Sequence, residues 1–169
     1  MDTTQWIASA TGLGLGATFF MDLVALLRRR LFNVPSLDYR FVGRWLGHMP
    51  SGRFRHDSIS RAQAVRHERL TGWLFHYLTG VAFAAVLLAG AGERWLYQPT
   101  LVPALLVGVL SVAAPWLIMQ PALGMGVAAS NTPHPRLARL RSLATHLSFG
   151  IGLYVTGWLW AQQQEILHS

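Results

Sequence analysis

Three ionisable side chains stand inside stretches that otherwise carry almost no charge: Asp22, His76 and His146. Asp22 is six residues before Arg28, His76 seven residues after Arg69, and His146 five residues after Arg141. On helices rising ~1.5 Å per residue, the three groups sit about 8–10 Å beyond the nearest arginine, at nearly one height. Gln120 joins them if its helix extends that far. A charged group at such a height in hydrocarbon costs about 2.5–3.5 kcal/mol unless it finds a partner, so the three are expected to face one another. Four chemistries fit the set. Hydrogen bonds among the groups can simply lock helices together. The groups can bind or conduct a proton, an ion or a small solute. His76 and His146 can serve as axial ligands of a haem b on facing helices, with arginines near its propionates. Asp22 and the two histidines can hold a divalent metal ion.

That comparison of heights presupposes helices that cross a membrane, and the composition supports them. Of 169 residues, 52% are hydrophobic and only 12% charged, against about 25% charged in a soluble domain. Four apolar stretches cover residues 4–27, 70–90, 101–124 and 143–161; the first contains one charge, Asp22, and the others contain no Asp, Glu, Lys or Arg. Each is long enough as a helix to cross a hydrocarbon core of ~30 Å. Barrel strands would be about half as long and would alternate in polarity. The expected fold is an all-α integral membrane protein, one membrane domain over residues 1–169. It is a four-transmembrane-helix up-down bundle with a long cytoplasmic loop, residues 28–69.

All 14 basic residues are arginine, and with 7 acids the net charge is +7. Ten arginines lie between residues 28 and 69 and three between 136 and 141; only Arg94 lies elsewhere. Positive charge collects on the cytoplasmic side of membrane proteins, so both termini are expected outside the cytoplasm. Trp6, Trp95, Tyr97, Trp158 and Trp160 then fall at the outer interface. The N-terminus lacks the basic region of a cleavable signal. No groove-reading motif accompanies the charge, so nucleic acid is not an expected partner; the bilayer, with anionic lipids at its cytoplasmic face, is. The absence of Cys excludes disulfides, thiolate catalysis and Cys-ligated metal. No acidic pair has metal-binding spacing and no Ser has an activating neighbour, so no catalytic residue is assigned and enzyme activity is not expected.

The loop contains its own pattern. Leu37, Phe41, Val42, Trp45, Leu46 and Met49 form one helical face, with Ser36 as N-cap and Arg40, Arg44 and His48 facing away. Such a helix either lies in the leaflet interface or docks on the bundle. Ser60 and Gln63 have capping-box spacing and predict a helix running into the second apolar stretch. Arg53-Phe54-Arg55-His56-Asp57, with Arg44, can contact a phosphate or an anionic headgroup. Gly12-x-x-x-Gly16 reads as a helix-packing face that closes the bundle or joins two copies. A larger membrane complex is a further possible partner.

His76-Tyr77-Leu78-Thr79-Gly80-Val81 echoes His146-Leu147-Ser148-Phe149-Gly150-Ile151. Both read His-x-x-x-Gly-aliphatic, which suggests a two-plus-two internal repeat. Gly80 and Gly150 each let a helix or a flat ligand approach closely. The runs Val42-Gly43-Arg44-Trp45-Leu46-Gly47-His48-Met49, Gly72-Trp73-x-x-His76-Tyr77 and Ile118-Met119-Gln120-Pro121, with Thr145-His146 and Gly150, are similar to the small bacterial inner-membrane proteins of domain of unknown function family 2938. The resemblance covers nearly the whole chain. It implies a four-helix protein of the bacterial inner membrane, and it implies no activity.

Overall fold

The computed structural model describes residues 1–168, and the side chains of residues 1–164. Part of the expected external tail, 162–169, therefore lies outside the described residues. Those described form helices and no strand: α1 (Thr3–Phe32), α2 (Tyr39–His48), α3 (Glu68–Ala91), the short α4 (Arg94–Tyr97), α5 (Leu101–Ala122) and α6 (Pro135–His168). Three of them, α1, α3 and α5, are long and apolar enough to cross a membrane. The fourth expected crossing lies within the 34-residue α6, where Thr145, His146, Ser148 and Thr156 dilute the apolar stretch. Contacts divide the chain into two units. The first comprises Met1–Val34, Tyr77–Leu110 and Thr145–Ser169; the second comprises Pro35–His76 and Ser111–Ala144.

In the first unit α1 starts with a capping box. Asp2 accepts the Gln5 N–H (2.8 Å) and the Gln5 side chain accepts the Asp2 N–H (3.2 Å). The helix ends at Asn33 in the left-handed region, φ 51°, which asparagine tolerates better than most residues. The core around α1 mixes small residues, Ala10, Ala17, Ala84 and Ala104, with large ones, among them Leu13, Leu87, Leu88, Trp95, Phe149 and Leu153. Further large apolar residues point outward: Leu15, Phe19, Leu23 and Leu26 form an α1 stripe 43–63% exposed. An outward apolar stripe suits a helix in hydrocarbon, where small residues at the helix contacts let backbones approach closely.

Two close approaches organise this unit. A Cβ on Gly80 would collide with Thr18 Oγ1 and lie 3.2 Å from the Gly14 carbonyl, so α1 and α3 cross backbone to backbone. A Cβ on Gly108 would lie 2.7 Å from Gly150 Cα, and α5 and α6 cross the same way. The two echoed glycines thus have matching roles, one in each helix pair. Gly12 packs against Trp160 and Gly16 against Thr156, so this face is used within the chain, between α1 and α6. Trp95 is 4% exposed, with its Nε1 donating to the Thr100 carbonyl (3.1 Å).

In the second unit α2 is capped by Asp38, whose carboxylate accepts the Arg40 N–H (3.1 Å), and not by Ser36. Its apolar face is docked: Val42 and Trp45 are buried with Ile59, Ala122 and Leu123, and Phe41 and Leu46 pack against them. The helix predicted from Ser60 is absent. Ile59–Arg61 is a single 3₁₀ turn and α3 begins at Glu68, because the carbonyls of Ile59, Ser60 and Ala62 accept from Arg44. Within α5 a π-helical stretch, Pro115–Met119, follows from Pro115, which has no N–H to continue the α ladder.

Replacing Gly80 by Val should lower the melting temperature of the detergent-purified protein, by roughly 1–3 kcal/mol of overpacking. Gly90, where an added Cβ meets nothing within 4 Å, should accept Ala with no loss of stability, since Ala is the better helix former.

Candidate functional site

The first unit places Asp22 beside Tyr77, whose hydroxyl hydrogen-bonds the carboxylate. The contacts at the α1–α3 crossing, Gly14 with Val81 and Thr18 with Gly80, continue one turn on to this pair. Along α1 and α6 the contacts run Gly12 with Trp160, Gly16 with Thr156 and Arg28 with Thr145. His146 therefore stands level with the α1 turn between Asp22 and Arg28. The residue of α3 that meets Asp22 is Tyr77, one position past His76.

His76 belongs to the second unit and faces α2. Its ring stacks on Tyr39 with centroids 4.1 Å apart, and Trp73 packs edge-on to it at 5.7 Å. Gln120 also lies in the second unit. It is 5% exposed, its Nε2 donates to Ser142 Oγ (3.4 Å), and its buried Oε1 has no hydrogen-bond partner. Among the described residues no three His, Asp or Glu side chains are grouped to hold a metal ion.

The loop between α1 and α3 contains the densest polar chemistry. Arg44, expected at a headgroup, is buried at 7% exposure. Its Nε and Nη2 donate to the two carboxylate oxygens of Glu68 at 2.8 and 2.9 Å, and its Nη1 donates to three carbonyls. This fork geometry is the strong form of the ion pair. Nearby, His48 Nδ1 and His56 Nε2 are 2.8 Å apart, one donating and the other accepting. His56 is 5% exposed and its Nδ1 has no hydrogen-bond partner. Burial, then Arg53, then His48 hold the His56 imidazole below its ordinary pKa near 6.5.

Residues 53–62 have little regular structure, yet their backbone is pinned along its length. Trp45 Nε1 donates to the Phe54 carbonyl (2.9 Å), the His56 N–H to the Ala122 carbonyl (2.9 Å) and the Ile59 N–H to the Leu123 carbonyl (3.2 Å). Gly124 packs against the carbonyls of His56 and Asp57 with φ 90°, so no side chain fits there. After it, Ala128 and Ala129 are both left-handed, φ 48° and 59°, and Arg139 Nε holds the Ala128 carbonyl at 2.8 Å. Two clefts open along the segment, of about 360 and 300 Å³, and Asp57 lines both. The sequence reading passed over the His48–His56 pair and the 124–129 loop. Gly124-Met125-Gly126 was the available signal for the second.

The family described as "Protein of unknown function (DUF2938)" matches residues 11–160, and the chain belongs to it. No curated protein and no solved structure matches the chain.

Arg44→Met leaves Glu68 buried without its cation and should destabilise the protein by roughly 3–5 kcal/mol, read as a lower melting temperature. A second expectation follows from His56. With its pKa depressed in the fold, the unfolded chain binds more protons below about pH 6.5, so stability rises with pH through that window. Melting temperature should fall on acidification from about pH 8 to about pH 5.5, and His56→Asn should flatten that slope.

Proposed function

We propose that this member of the DUF2938 family is a four-crossing protein of the bacterial inner membrane whose helices hold a polar site for a proton or a small cation. The site is the Asp22 carboxylate with the Tyr77 hydroxyl, and His146 stands on the path from it to the arginine-rich end. One observation carries the reading: a carboxylate on an apolar helix is hydrogen-bonded across to a neighbouring helix that is itself apolar. Intramembrane ionisable groups mark ion and proton paths more often than chance placement would. A carboxylate offers an exchangeable negative charge, and the tyrosine hydroxyl can donate to it or pass a proton on.

Four crossings are supported by α6, whose 34 residues extend about 51 Å at ~1.5 Å per residue. The orientation, with both termini outside, is supported by the 13 of 14 arginines that fall in residues 28–69 and 136–141.

The test uses full-length protein in proteoliposomes with an internal pH dye and an imposed potassium diffusion potential. Wild type should carry a proton or cation flux, Asp22→Asn should reduce it at least about tenfold, and Tyr77→Phe should reduce it less, in line with one lost hydrogen bond of about 0.5–1.5 kcal/mol. A folded Asp22→Asn protein with unchanged flux would sink the reading. Changed stability with no wild-type flux would make the pair a structural lock.

A further inference from the structure

We propose that the two clefts along residues 53–63 form a binding site for a phosphate-bearing headgroup. Arg53, Arg61 and Ser58 line the first cleft, while Arg55, His56 and Asn131 line the second. The arginines are what a phosphate recognises. Their planar guanidinium groups donate two hydrogen bonds to one phosphate and stay charged at any accessible pH. None of Arg53, Arg55 and Arg61 is in an ion pair among the described residues, whereas Arg40 and Arg44 of the same loop are paired with Asp38 and Glu68.

Their backbone is also fixed in advance. The hydrogen bonds from Trp45, Arg44 and the N–H groups of His56 and Ile59 hold the segment from one end to the other. A preorganised loop loses less entropy when a ligand arrives, so a few donors suffice for useful affinity. A loop of this length would ordinarily be loose; here it is held by a buried ion pair and by a facing loop with two residues in the left-handed region. Backbone strain of that kind gathers at ligand sites. His56 adds an independent sign of a ligand: a side chain 5% exposed, lining the second cleft, with a ring nitrogen that no described residue satisfies.

Asp57 lines both clefts and repels a bare anion. It therefore selects a ligand that presents a hydroxyl or ammonium donor beside its phosphate, as a glycerol or amino-alcohol headgroup does. Two sources offer this chemistry: a membrane phospholipid and a soluble phosphate ester. Phe54, 58% exposed between Arg53 and Arg55, favours the lipid, because an aromatic ring flanked by cations suits the acyl boundary.

The test is calorimetric titration of the full chain in a neutral detergent with three probes: short-chain phosphatidylglycerol, glycerol 3-phosphate and short-chain phosphatidylcholine. Saturable binding of phosphatidylglycerol should weaken at least about tenfold in Arg53→Gln/Arg61→Gln and in Arg55→Gln, and should weaken with added salt. Arg66→Gln, an exposed arginine outside both clefts, should leave it unchanged. Tight binding of phosphatidylglycerol alone, lost in Phe54→Ala, identifies the lipid source; equal binding of glycerol 3-phosphate identifies the soluble one. The proposal is overturned if neither phosphate probe saturates, if phosphatidylcholine binds as well, or if Arg66→Gln weakens binding as much as the cleft variants. The titration does not depend on flux through Asp22, so failure of either idea leaves the other standing.

Discussion

The second unit depends on one buried guanidinium. Arg44 satisfies both oxygens of Glu68 and three backbone carbonyls at once, which ties α2, the 59–62 turn and the start of α3 into one assembly. Glu68 also accepts the Val65 N–H (3.2 Å). Removing a charge from water is expensive, and an arrangement that satisfies nearly every donor and acceptor is what makes it tolerable. The same bonds take the loop carbonyls away from helix formation. A stretch with helix-starting chemistry becomes a pinned, irregular segment, and that segment displays the other arginines.

The first unit is governed by a different constraint, backbone proximity. Where α1 crosses α3 and where α5 crosses α6, a glycine stands at the crossing. That proximity is also why one polar pair, Asp22 with Tyr77, can be accommodated: the helices are near enough for a side chain to reach across.

Much of this was legible in the residues. Apolar runs located α1, α3 and α5, and a lone acid in the first run identified Asp22. The Gly-x-x-x-Gly and His-x-x-x-Gly patterns marked helix contacts. What could not be read was azimuth. Residue counting fixes a height along a helix, but α3 is apolar on all sides, so nothing in its periodicity singles out Tyr77 as the partner of Asp22. Arg44 was misplaced for a related reason. Its position on α2 looks polar by spacing, and its partner Glu68 is 24 residues away, beyond the reach of any local rule. The Ser60 to Gln63 spacing failed because a tertiary contact claimed the carbonyls that a helix would have used.

The left-handed pair Ala128 and Ala129 reverses the usual rule of mutational tolerance. Elsewhere in a chain, alanine is the conservative replacement for glycine. Here each alanine occupies a conformation that disfavours a Cβ by roughly 1–2 kcal/mol. Glycine is the residue these positions would accept most readily, and a β-branched side chain is the one they exclude. Sequence drift in this loop should therefore move toward Gly and Asn and away from Val, Ile and Thr, opposite to the preference of the apolar helices on either side.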